Sequence, residues 1–454
     1  MRLDEDIIKD GITVELIAEL IEKHKKHIKR YANLMNYYKG NHAICERKRK
    51  GSGLANNKLV VNHAKYITDI STAYLIGNPV TYAPSEEYNI DEVINIYLEQ
   101  DIASIDKEIA KHVSIYGRGY ELVYADNNSM PRSVKIDPRQ AFVVYNDDCT
   151  HFPLFGVYYY KTFDARGTVT GIVCNIYTDN EVFTYQSRQD NWNTLVMSYK
   201  GLHYFGGVPM IEYCNNEEKQ GDFEPVLSLI DGYNTHLSDR VNDKEQFVDA
   251  LLFLKNIEVD SEKAKKLKEE KILMSNFEDA DAKYLNKVMS ETDAKVLRDD
   301  IKEDIFTTAM VPDLSDESFG SNQSGVAIKY KILAFEQRTK DKEGCITKGL
   351  KERFKLYNNF LNIKHNMKIV PVHRIDVVFT HNLPVNNYEI SQMIYNLSGM
   401  VSTETLISQL DFVQDAKEEA ELARKEQAES QRMAMDVMDY RDYGKKIKTN
   451  EDTE

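Results

Sequence analysis

VPDLSDESFGSNQSG, residues 311–325, is polar, rich in serine and glycine, and holds a single aromatic side chain, Phe319. Helical periodicity flanks it on both sides. Over 290–310, Val296, Asp300, Ile301, Asp304 and Ile305 succeed one another at helical steps; over 326–365, Val326, Ile328, Ile332, Phe335, Ile346, Leu350, Phe354, Tyr357 and Leu361 do the same. A loop of this length with no secondary structure is uncommon in a compact domain, where it belongs either to function or to disorder. Two long helices holding it at their tips predict a loop displayed on a rigid support, touching something without gripping it. That is a mechanical element rather than a catalytic one. The second helix, about 40 residues at 1.5 Å each, would run roughly 60 Å, with Gly344 and Gly349 as candidate bends.

The rest of the chain bounds what that element can serve. Its 454 residues suffice for about three domains, and 42% hydrophobic with 29% charged residues is an ordinary globular composition. No apolar run approaches the ~20 residues of a membrane span, and the acidic opening MRLDEDIIKDG lacks the apolar core of a secretory signal. Cys45, Cys149, Cys174, Cys214 and Cys345 are scattered, odd in number and never spaced as CxxC, so reduced thiols are expected, without disulfides or zinc. The formal net charge of −15 argues against tight nucleic-acid binding, which draws on neutralising phosphates and releasing counterions. It does not argue against a surface past which DNA slides. GxxxxGK[ST] is absent, so no nucleotide-hydrolysing motor is expected.

Outward from the loop, the patterns alternate between helical and extended. Residues 13–39 read as an amphipathic helix with Thr13 as cap and Gly40 as stop; His24 and His27 read as its surface and lack partners for a metal. ERKRKGSG (46–53) is a basic loop, either solvated or in contact with nucleic acid or an acidic partner. KLVVNHAKYITDISTAYLIG (58–77) reads as a short strand or extended entry into a buried helix that Gly77-Asn78-Pro79 ends. One helix is predicted over 90–116. From Tyr120 to Tyr213 the period becomes two, in ELVYA, FVVYN, FGVYYYK, GIVCNIYT, EVFTYQ and TLVMSYK, which predicts a strand-rich insert. Its tyrosines read as cross-strand packing rather than a base-stacking platform, because interleaved Lys and Arg are sparse.

A helix is predicted over 222–256, with Pro225 in its first turn and Asp231, Asp239, Asp243, Glu245 and Asp249 on one face. Residues 257–290 are short and charged, with a helix-like SEKAKKLKEEK and strand-like KILMSN and AKYLNK. RIDVVFTHNLP (374–384) reads as a strand with a proline stop, 388–440 as helical, and KKIKTNEDTE as a disordered tail. The fold class is therefore α+β and mainly helical. Carboxylate pairs exist at Asp147/Asp148 and Asp299/Asp300, but adjacent acids do not face each other on a helix or strand. Neither pair carries a metal-binding pattern, so no catalysis and no cofactor are expected.

The order and spacing of several segments resemble the portal proteins of long-tailed phages that infect Gram-positive bacteria, over nearly the whole length. These are NNKLVVNHAKYITDISTAYLIGNPVTY (56–82), YGRGYELVY (116–124), IDPRQAFVVYNDD (136–148), GDFEPVLSLIDGYNTHLSDRVNDKEQF (221–247), GSNQSGVAIKYKILAFEQ (320–337) and NLP (382–384). The resemblance implies a virion protein at one capsid vertex, assembled in the host cytoplasm. It would form a homo-oligomeric ring, usually of twelve subunits, through which double-stranded DNA is packaged by terminase and later ejected.

Mapped onto this chain, the likeness implies a wing over 1–221 with a β-rich insert at about 120–215, a stem helix over 222–256 and a small α/β clip at 257–289. A second stem helix follows over 290–310, then a tunnel loop at 311–325, a long wing helix and return strand over 326–385, a helical crown at 386–440 and a tail at 441–454. The crown is short and the tail charged, a departure from the family pattern. On this mapping the tunnel-loop residues Asp313, Ser315, Asp316, Ser318, Phe319, Asn322 and Gln323 face the DNA, with Phe319 and its neighbours narrowest, and Lys329 and Lys331 give weak exchangeable contacts. Lys265, Lys266, Lys268, Glu269 and Lys271 either dock the terminase large subunit and the head-completion adaptor or form a solvated helix face. Major capsid and scaffolding proteins are further implied partners; a membrane is not. The competing reading is another head-morphogenesis protein, adaptor or scaffold-like, without a channel.

Overall fold

The computed structural model describes all residues except 10, 49–54, 86–87, 249–250, 256–280, 286–290, 316–324, 382–386, 411–412, 414–415 and 427–454. The side chains of 246–248, 251–254, 282–285, 325–329, 331 and 387–389 are likewise outside the description. The chain forms two compact units, one of residues 1–313 with 334–379 and one of 314–333 with 380–454.

In the first unit, α1 (Val14–Lys39) begins where the Thr13 hydroxyl accepts the Leu16 amide at 3.3 Å and ends at Gly40, whose φ of 89° only glycine adopts freely. Ile17, Leu20, Ile21, Tyr31 and Leu34 form its buried stripe, and His24 lies in that stripe, not on the surface as expected. Its Nδ1 stands 2.7 Å from the Tyr159 hydroxyl, and burial pulls its pKa down to about 4. The ring is a core group, and among the described residues no cluster of metal-ligating side chains forms.

Residues 57–62 lead into α2 (His63–Leu75) without joining a sheet. The reason lies in α5 (Leu227–Val248). The Asn57, Leu59 and Val61 amides donate to Asn242 Oδ1 (2.7 Å), Ser238 Oγ (2.9 Å) and Asn234 Oδ1 (2.8 Å). A polar ladder on a helix here replaces a neighbouring strand.

The single helix expected over 90–116 is two, α3 (Asp91–Glu99) and α4 (Ile102–Tyr116), separated by Asp101 at φ 53°. Asp tolerates the left-handed region, and its carboxylate accepts the Ser104 hydroxyl at 2.6 Å. Leu98, near the end of α3, is 74% exposed. The apolar period alone passed over a two-residue break, Gln100 and Asp101.

The strand-rich insert holds a six-stranded sheet ordered β1-β5-β6-β7-β8-β9 and a three-stranded sheet ordered β10-β3-β4. The first comprises β1 (Arg2–Leu3), β5 (Ala141–Asn146), β6 (Pro153–Phe163), β7 (Val169–Tyr177), β8 (Glu181–Ser187) and β9 (Val196–Leu202), with only β1 parallel to its neighbour. The second comprises β3 (Arg118–Ala125), β4 (Pro131–Ile136) and β10 (Met210–Cys214). Strand β4, PRSVKI, has too few apolar residues to show as a strand in the sequence. Helix α1 packs Ile17, Leu20 and Ile21 onto Phe142, Phe155, Val157 and Ile176 of the large sheet. Tyr159 and Tyr185 are buried there, whereas Tyr199 on the edge strand is 57% exposed.

The helix expected over 222–256 is shorter. Glu224–Val226 is a single 3₁₀ turn containing Pro225, α5 stops at Val248, and Leu251–Lys255 forms β11, antiparallel to β12 (Asp281–Leu285). LLFLK is a short continuous apolar run, which periodicity cannot assign between helix and strand. Helix α6 (Glu291–Ala309) follows. Helix α7 (Gly325–His365) spans 41 residues and is assigned without a break at Gly344 or Gly349. Gly349 serves close approach instead, since a Cβ there would stand 2.4 Å from Cε1 of Tyr213. Ile346, Leu350, Phe354, Tyr357, Phe360 and Leu361 of α7 pack with α3 and α4 into the main core. Strand β13 (Ile375–Val378) pairs antiparallel with β2 (Thr81–Pro84).

The second unit contains α8 (Asn387–Leu397), a turn with Gly399 at φ 86°, and α9 (Thr403–Ile407), where Ser402 accepts the Thr405 amide. Residues 416–426 are helical. The helical pattern expected over 388–440 is therefore interrupted, at the Ser398–Val401 bridge.

Candidate functional site

Of the loop residues singled out from the sequence, Asp313 and Ser315 are described. Asp316, Ser318, Phe319, Asn322 and Gln323 lie outside the described residues, as do Lys265, Lys266, Lys268, Glu269 and Lys271. Lys329 and Lys331 belong to α7, but their side chains are outside the description. What the structure does give is the base from which the loop departs.

Helix α6 ends in a left-handed residue. The Met310 amide donates to the Thr307 carbonyl and the Val311 amide to the Phe306 carbonyl, both at 3.1 Å, with Met310 at φ 52°. That bond pair closes many helices, usually with glycine in the left-handed place. Phe306 and Val311, the residues at the two ends of the second bond, are both buried. His63 and Tyr66 of α2 set their rings edge-on to Phe306, at 5.5 and 5.4 Å between centroids. Burial lowers the His63 pKa to about 4, so the ring is neutral at pH 7.

Two further ties follow the helix end. The Tyr66 hydroxyl donates to the Pro312 carbonyl at 3.2 Å, and Lys302 Nζ pairs with the Asp313 carboxylate at 2.5 Å. On the other side, Arg338 of α7 donates through Nη1 to the Ala309 carbonyl and through Nη2 to Asp222 Oδ1 at 2.5 Å. Asp222 is buried and also receives Lys342 Nζ (2.8 Å), Asn215 Nδ2 (2.8 Å) and the Ser114 hydroxyl. Burial alone would raise its pKa. The charges of Lys342 and Arg338 and the bonds from Lys342 and Ser114 overcome that and hold the carboxyl well below its usual range. Lys342 is itself lowered by burial, against the pull of Asp222.

The acidic face of α5 is partly engaged within the chain. Asp231 accepts the Tyr37 hydroxyl at 2.6 Å and Asp239 pairs with Arg47 at 2.5 Å; Asp249 lies outside the described residues. A uniform row of free carboxylates is thus not what α5 presents. The other acids weighed as pairs also have local duties, Asp148 accepting the Thr150 amide and Asp299 the Arg298 guanidinium.

Sequence reading missed Tyr66, Asp222, Lys302, Met310, Arg338 and Lys342. One signal was present: Arg338 and Lys342 stand one turn apart, on the side of α7 that also carries Phe335 and Ile346. A basic pair interleaved with a buried stripe calls for an acid from elsewhere in the chain.

Comparison with known proteins gives a consistent result. The family model described as "Phage portal protein, SPP1 Gp6-like" matches residues 17–433. The portal protein of Bacillus phage SPP1 is 26% identical over 442 residues, covering 92% of this chain and 86% of the relative. The portal protein of Clostridium phage phiCD119 is 23% identical over 392 residues, covering 81% and 84%. A solved structure described as the neck of an empty GTA particle computed with C6 symmetry covers 83% of this chain and 91% of its own at 10% identity. Its TM-score of 0.46 is too low to bear on fold or function.

Proposed function

The chain belongs to the phage portal protein family, SPP1 Gp6-like, and from that premise we propose how this head portal protein works. The observation that carries the reading is the family match across residues 17–433, joined to likeness to two portal proteins over 92% and 81% of this chain. The family is structural, its members are parts of the virion, and no described helix is long and apolar enough to cross a membrane.

On this reading identical copies close into a ring, twelve in number, and DNA passes through the axis during packaging and ejection. Residues 1–221 form the wing, α5 and α6 the stem, 257–289 the clip, 311–325 the tunnel loop and 386–440 the crown. A net charge of −15 per subunit repels phosphate and keeps the passing duplex from binding strongly. Phe319 and its polar neighbours make the narrowest contact, with Lys329 and Lys331 offering weak, exchangeable ones. The clip, through Lys265, Lys266, Lys268, Glu269 and Lys271, docks the terminase and later the head-completion adaptor. Assembly takes place in the host cytoplasm with capsid and scaffolding proteins.

Loop deletion tests the channel reading. Removing residues 313–322 is expected to leave rings intact in electron micrographs while packaging or DNA retention fails. Normal DNA-filled heads from that variant would remove the proposed role of the loop.

A further inference from the structure

We propose that Arg338 is a positioning residue for the tunnel loop: it holds the strained left-handed turn at Met310 against the buried Asp222, and so fixes the direction in which the chain leaves α6. The proposal rests on the portal reading, which supplies the assay.

Three observations carry it. First, Met310 occupies a conformation that side chains with a Cβ adopt at a cost, at the point where a glycine would be expected (φ 52°). Strain of this kind persists only where neighbours over-determine it. Second, the two closing bonds use the Phe306 and Thr307 carbonyls and leave the Ala309 carbonyl without a helical donor. Arg338 Nη1 supplies that donor. Third, the same guanidinium is pinned at its other end, with Nη2 on the Asp222 carboxylate (2.5 Å) and on the Asp222 carbonyl (3.3 Å).

Arg338 is one of several partners of the Asp222 hub. Lys342, Ser114 and Asn215 all remain on the carboxylate if Arg338 is removed, and the Asp222 amide still donates to the Ser114 carbonyl at 2.7 Å. Loss of Arg338 therefore cuts one specific link, from the hub to the end of α6. Lys302–Asp313 and Tyr66–Pro312 hold the next residues.

A four-member cycle separates positioning from general stability: wild type, R338M, M310G and R338M/M310G, scored by rings in electron micrographs and by DNA-filled heads per particle. Met310→Gly removes the strain that Arg338 opposes. R338M is expected to keep its rings and lower DNA-filled heads about tenfold, M310G to stay within about threefold of wild type, and the double variant to recover most of the loss. Wild-type packaging by R338M, or a double variant no better than R338M, would overturn the proposal. If R338M forms no rings, the cycle is read on ring yield, where recovery in the double variant supports the latch and its absence overturns it. Failure of the wild-type protein to form a perforated ring would instead refute the portal reading.

Discussion

Arg353 is fully buried in the middle of α7, and replacing it with methionine should be among the most damaging single changes in the first unit. Its Nε donates to Glu121 Oε1 at 2.7 Å, and its Nη2 reaches Glu121 Oε2 at 2.9 Å and Asp106 Oδ1 at 2.5 Å. Both acids are buried, and Glu121 further accepts the Tyr213 hydroxyl at 2.5 Å. Methionine fills most of the volume but leaves two carboxylates in the core without a counter-charge. Breaking a buried ion pair from one side costs about 3–5 kcal/mol, and that is the loss expected at pH 7.5.

The pH dependence makes the cause identifiable. Burial already raises the Asp106 pKa against the pull of Arg353, so removing Arg353 should raise it further. A carboxyl whose folded pKa exceeds its unfolded value contributes most stability at low pH, and that contribution is lost as pH climbs through the folded value. The gap between wild type and R353M should therefore be widest at pH 7.5 and narrow toward pH 5. Urea midpoints for both proteins at matched concentration measure it. A gap under about 1 kcal/mol at pH 7.5, or one that does not narrow on acidification, would refute the reasoning.

Gly349→Ala should destabilise by about 1–3 kcal/mol because its Cβ would meet the Tyr213 ring at 2.4 Å, a clash visible as a lowered thermal midpoint. Gly344→Ala, five residues earlier in the same helix with nothing within 4 Å of its Cβ, should stabilise by about 0.5–1 kcal/mol in that scan. Acidification should unfold the wild type early, because burial lowers His24, His63 and His112 to about 4 each. Their contribution is whole above about 6.5 and drains as pH falls toward 4, by up to about 1.4 kcal/mol per pH unit for each ring; a flat urea midpoint across that window would contradict it. Charge reversal at Lys265, Lys266, Lys268 and Lys271 should abolish terminase pull-down with ring assembly unchanged, and undiminished capture would move the docking surface elsewhere.

Much of the architecture is legible where local chemistry governs it. Thr13 and Gly40 bracket α1 because a hydroxyl cap and a left-handed glycine are local devices. The alternating runs from Tyr120 onward announce the insert for a similar reason. Reading fails where tertiary partners decide. Asp101 breaks a helix that apolar spacing would continue, and β4 becomes a strand by pairing with β3, not through its own composition. The buried charges were out of reach: Arg353 meets Glu121 and Asp106 across separations of 232 and 247 residues, and a lone arginine in a helix reads as solvent-facing. At the loop base, Met310 gives no sign of its left-handed backbone, because the residue common in that place is glycine.

End-on electron microscopy of the purified full-length protein, with density traced for residues 311–325, bears most directly on whether this chain encloses a passage for DNA. A perforated ring of identical subunits, with those residues nearest the axis, is the expected image. Particles with no open axis, or a loop held away from it, would contradict the account.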